Sequence, residues 1–69
     1  YEYFVDSTRI VYVFQRAKNK FRIYLIQGDA PNVSMKHDKH GQYFTVRSES
    51  TATAEKIIDN TFHNRVAIP

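Results

Sequence analysis

Arg9–Gln27 reads RIVYVFQRAKNKFRIYLIQ. Two runs rich in β-branched and aromatic residues, Arg9 to Arg16 and Phe21 to Gln27, flank the polar link Ala17-Lys18-Asn19-Lys20. Such runs favour extended backbone, and a short polar link between them predicts a hairpin. With Lys18 and Asn19 as the central turn residues, Ala17 opposes Lys20, Arg16 opposes Phe21, Phe14 opposes Ile23 and Tyr12 opposes Leu25. On the reverse side Val13 meets Tyr24, Val11 meets Ile26 and Gln15 meets Arg22. A slipped pairing that sets Arg16 against Ile23 and Gln15 against Tyr24 matches the faces less well, so the hydrophobic pattern predicts the first register.

This register makes both faces of the hairpin apolar near its open end. A sheet with one wet side shows polar residues there. The pattern therefore asks for a cover over the second face: a sheet curled towards a barrel, the N-terminal strand Tyr1 to Val5, or another molecule. At the opposite end Arg16, Lys18, Lys20 and Arg22 cluster, forming the densest positive patch in the chain.

Downstream, Gly28-Asp29-Ala30-Pro31-Asn32 gathers several turn formers and breaks the pattern. Val33 to His37 and Gln42 to Arg47 then read as a second, weaker hairpin. In it Phe44 and Val46 face one way, and Tyr43, Thr45 and Arg47 the other. The link Lys36-His37-Asp38-Lys39-His40-Gly41 offers His37 and His40, with Asp38 between them, as divalent-metal ligands, and His63 on the helix as a further one. The same residues are ordinary turn formers, with Asp bonding its own backbone and Gly41 free to take a positive φ. The turn is the expected reading, and neither a metal nor a cofactor is expected.

From Ser50 or Thr51, either of which can cap a helix, Ala54, Ile57, Ile58 and Phe62 recur at spacings of three and four, with Val66 extending the stripe. The helix is expected to fray near Asn64. The expected fold is one small α+β domain over residues 1–69: an antiparallel sheet of four or five strands with one C-terminal helix packed across it. Its expected core is Tyr12, Phe14, Ile23, Leu25, Phe44, Val46, Ala54, Ile57, Ile58 and Phe62. A start at Tyr1 fits a fragment of a longer protein.

Composition narrows the function classes. The chain has no cysteine, so neither disulfides nor thiolate metal sites support so small a core. The longest purely apolar or aromatic run, Ile10 to Phe14, falls far short of the ~20 residues a membrane span needs. No phosphate-binding glycine loop, nucleophile elbow or His-Glu-x-x-His occurs, so no enzyme is expected.

The net charge of +3 permits an anionic partner, and aromatics make up 14% of the chain. Nucleic acid is the leading expected ligand. Arg16, Lys18, Lys20 and Arg22, with Arg9 and Arg47, would grip phosphates, while Tyr24 and Tyr43 stack on bases. A β-ribbon is also narrow enough for a major groove. The ordinary counterpart is that tip charges keep an exposed turn soluble and block edge pairing. The rival is a partner protein, or a homodimer, docked on Val11, Val13, Tyr24 and Ile26 or along a strand edge. Nothing in the sequence indicates a compartment.

Overall fold

The structure is a computed structural model in which residues 1–63 are described. It has five strands and one helix: β1 Glu2–Phe4, β2 Ile10–Ala17, β3 Lys20–Gln27, β4 Lys36–Asp38, β5 Gly41–Arg47 and α1 Thr51–Phe62. The strands form one antiparallel sheet in the order β1-β2-β3-β5-β4. This is the expected α+β architecture. Val66 and the fraying expected near Asn64 lie outside the described residues.

The central hairpin turns where expected, with Ala17 opposite Lys20. Its register does not hold beyond the turn. Gln15 faces Phe21, Phe14 faces Arg22, Val13 faces Ile23, Tyr12 faces Tyr24 and Val11 faces Leu25. The expected Phe14–Ile23 and Tyr12–Leu25 pairs are therefore corrected. The cause is an irregularity between Gln15 and Ala17 that leaves Arg16 as an extra residue on β2. A bulge of this kind sets two residues against one and inverts every side chain beyond it. The Gln15 side-chain amide donates to the Lys18 carbonyl at 3.0 Å, tying the distorted stretch to the turn. A second shift returns the pairing at Ile10 opposite Gln27, leaving Ile26 as the extra residue on β3.

The inversion decides which face is core. Val11, Val13, Phe21, Ile23, Phe44 and Val46 lie together under α1, which contributes Ala54, Ile58 and Phe62. Leu25, Met35 and Ile57 pack at the margin. Tyr12 and Phe14, expected in the core, are each 43% exposed on the opposite face. Each fully buried aliphatic or aromatic side chain contributes about 1.5–3 kcal/mol. Val11 and Val13 gain this beneath the helix, whereas Tyr12 and Phe14 gain only part of it.

Ser50 caps α1 by accepting from the Thr53 amide, and the Ser48 hydroxyl donates to the Ser50 carbonyl at 2.8 Å. At the other helix end Arg9 donates to the Phe62 carbonyl at 3.3 Å and pairs with Asp6 at 2.9 Å. β1 adds to the sheet beside β2 and does not fold over the second face. Tyr1 and Tyr3 reach the helix instead, donating to the carboxylates of Glu55 and Asp59. With one helix on one side, the other side of the sheet stays open among the described residues.

Candidate functional site on the open sheet face

The open face is built in cross-strand rows. One row runs Glu2, Tyr12, Tyr24, Tyr43, Lys36 across all five strands, and the next runs Phe14, Arg22, Thr45. Nearer the turn, Lys20 stands beside Arg47, with Arg16 on the bulge. Alternation along each strand brings these residues to one side once the bulge has set the parity.

Asp38 organises the middle of this face. Its Oδ1 accepts the His40 backbone N–H at 2.7 Å, which closes the β4–β5 turn, and Gly41 follows at φ 119°. Its Oδ2 accepts from Arg22 Nη1 and from the Tyr24 hydroxyl, each at 2.8 Å. Arg22 also donates to the Tyr24 oxygen at 3.2 Å, and its guanidinium lies 4.3 Å from the centre of the Tyr43 ring. Partial burial disfavours the Asp38 charge, but the His40 amide, the Tyr24 hydroxyl and neighbouring positive charge outweigh it and hold the carboxyl below its usual range. The Tyr24 hydroxyl is foremost among the groups that raise the Arg22 pKa further.

The link from Lys36 to Gly41 is thus a turn, with His37 on β4 and His40 in the connection. No group of three or more metal-capable side chains comes together among the described residues.

Two depressions mark the face. A groove of about 740 Å³ runs over Tyr12, Phe14, Arg16, Ile26 and His40, with the Arg22–Tyr24–Asp38 network at its base. A smaller one of about 220 Å³ is lined by Arg16 from β2, Lys20 and Arg22 from β3 and Lys36 from β4, around Tyr43 and Thr45 of β5.

The sequence-predicted site is therefore rearranged. Arg16, Lys18, Lys20 and Arg47 are exposed, and none of them joins an ion pair among the described residues. Arg22 is not a free cation at the bend but is held by Asp38. Tyr24 and Tyr43 are 8% exposed, so their ring faces are committed to each other and to Arg22. The rings that reach solvent are Tyr12 and Phe14.

The apolar docking surface expected on Val11, Val13, Tyr24 and Ile26 is corrected as well. Only Ile26 of that set is exposed, because both valines lie under the helix. Lys36 went unnoticed in the sequence. Its place beside the basic tip depends on β4 pairing with β5, with Lys36 opposite Tyr43, a long-range contact that no local pattern announces.

No helix among the described residues is long and apolar enough to cross a membrane. No family model, curated protein or solved structure matches this chain.

Proposed function

We propose that the chain is a non-catalytic nucleic-acid-binding module that holds phosphates at the basic end of its open sheet face. The observation that carries this reading is the small depression lined by four cationic side chains from three strands, Arg16, Lys20, Arg22 and Lys36. Lys18 and Arg47 extend the same positive rim. Cations of one sign that stand close together repel each other, and a bound polyanion relieves that repulsion while releasing its own counterions. Asp38 is already shared between Arg22 and Tyr24, so it leaves the other cations uncompensated.

Salt titration of the affinity for a labelled oligonucleotide tests this. About four phosphate contacts give a slope of roughly −3 in log K against log salt. Lys18→Glu combined with Lys20→Glu should weaken binding at least tenfold. Association that ignores salt, or that survives both charge reversals, would refute the phosphate grip.

A second reading, protein docking or homodimer formation, is favoured by one observation. Phe4, Tyr12, Phe14 and Ile26 are all substantially exposed. Under that reading the chain sediments as a dimer with weak salt dependence, and Phe14→Ser restores the monomer.

A further inference from the structure

We infer that the open face selects single strands, with Tyr12 and Phe14 as stacking platforms for two successive unpaired bases. This rests on the nucleic-acid reading and adds a ligand class to it. The groove of about 740 Å³ has a rigid floor, because Tyr24, Arg22 and Asp38 are locked together by bonds of 2.8–3.2 Å. Tyr12 and Phe14 rise beside that floor, each 43% exposed, and Arg16 lines both this groove and the smaller depression to which Lys20 belongs. Rings next to cations suit a ligand that alternates flat apolar bases with anionic phosphates. The carboxylate in the Tyr12 row, Glu2, lies on the edge strand β1, away from the cationic end.

Spacing argues for a single strand. Residues two apart on a strand are separated by about 6.8 Å, twice the ~3.4 Å step of a stacked helix. Bases that cover both rings have to be unstacked from each other, which a duplex resists and an extended single strand permits. The width of the sheet argues the same way. The β2–β3 hairpin does not stand free as a ribbon, since β5 runs beside β3 as far as Lys20 opposite Arg47, and the Ser48 amide donates to the Asn19 carbonyl at 3.1 Å. Five strands about 4.8 Å apart span roughly 19 Å, against a major groove about 12 Å wide.

The test compares fluorescently labelled oligo(dT) with a blunt DNA duplex of equal length at low salt, for the wild-type chain and for Tyr12→Ala with Phe14→Ala. Thermal melts of each variant verify that the fold persists. The expected result is at least tenfold tighter binding of oligo(dT), lost in the double variant, while weak duplex binding is unchanged. Base–aromatic stacking of about 1–3 kcal/mol per base corresponds to a loss of roughly fivefold or more per ring.

Equal affinity for the two ligands, or a double variant that binds oligo(dT) like the wild type, overturns single-strand selection and leaves the phosphate grip standing if binding still falls with salt. Absence of binding to both ligands overturns the nucleic-acid reading along with it. Dimerisation that the double variant abolishes assigns the face to a second copy of the chain and also overturns the inference.

Discussion

Asp38 shows how much one side chain can settle in so small a domain. A single carboxylate closes the β4–β5 turn through the His40 amide, anchors Arg22 and satisfies the Tyr24 hydroxyl. Asp6 does similar work at the other end of the molecule. There it accepts from the Thr8 and Arg9 amides, pairs with the Arg9 guanidinium and meets His63. Both carboxyls are held below the ordinary range. The folded chain therefore gives up these protons more readily than the unfolded chain does. Their contribution is complete above the unfolded pKa near ~4 and is lost as pH falls through the lowered values.

Tyr1 and Tyr3 act in the opposite direction. Burial, followed by hydrogen bonds to Glu55 and Asp59, raises both to about 12. Their contribution is complete below the usual tyrosine pKa of ~10 and is lost as pH rises towards 12. Denaturant midpoints across the pH range should be flat between these limits and fall on both sides. Tyr3→Phe should flatten part of the alkaline fall without moving the acid limb.

The two glycines make a sharper comparison at the same scale. Both have positive φ, but a Cβ on Gly28 would lie 2.5 Å from the Thr8 carbonyl oxygen and from Arg9 Cγ, whereas one on Gly41 meets open space. Gly41→Ala should cost about 1 kcal/mol from backbone strain alone. Gly28→Ala should cost about 3 kcal/mol, because a rigid backbone oxygen stands in the way. Urea unfolding of the two variants measures the difference, and equal costs would contradict the close packing at Gly28.

Among elements, the bulge at Arg16 carries the most consequence. The turn at Lys18 and Asn19, the break at Gly28, the helix start at Ser50 and the stripe of Ala54, Ile58 and Phe62 are all legible in the sequence, because each rests on local chemistry. Strand alternation is local too, but it counts residues as if each advanced the strand by one step. Arg16 breaks that count, and no glycine or proline marks the place.

Tyr12 and Phe14 carry large apolar rings beside the apolar Val11 and Val13, so the pattern alone does not say which pair turns inward. The bulge at Arg16 decides, placing Val11 and Val13 under the helix and Tyr12 and Phe14 opposite Tyr24 and Arg22. The placement of the candidate residues depends on the same count. The cations of β2 and β3 are legible in the sequence, whereas the exposure of Tyr12 and Phe14 and the position of Lys36 beside Tyr43 are not.

The register is directly testable through stability. Val13→Ala should cost about 2 kcal/mol by leaving a cavity under α1. Phe14→Ala should change stability by less than about 1 kcal/mol, because its ring already faces water. The reverse ranking in urea melts would restore the unbulged pairing.

At the scale of the whole molecule, among the described residues one helix covers one face of a five-stranded sheet. A 12-residue helix is about 18 Å long and about 10 Å wide, so it covers part of a single side. The uncovered side then carries aromatic rings, a floor fixed by Asp38 and a cluster of cations at one end. The proposed function thereby separates stability and binding onto opposite faces of the same strands. Substitutions at Tyr12, Phe14, Arg16, Lys20 or Lys36 should accordingly alter ligand affinity far more than the melting temperature.

The most direct test of this division is a titration of the isotope-labelled chain with oligo(dT) at low salt, followed through backbone amide shifts. Shifts concentrated at Tyr12, Phe14, Arg16, Lys20, Lys36 and Arg47, with α1 silent, are the predicted result. A spectrum that does not move, or one whose changes gather on Ala54 to Phe62, would contradict it.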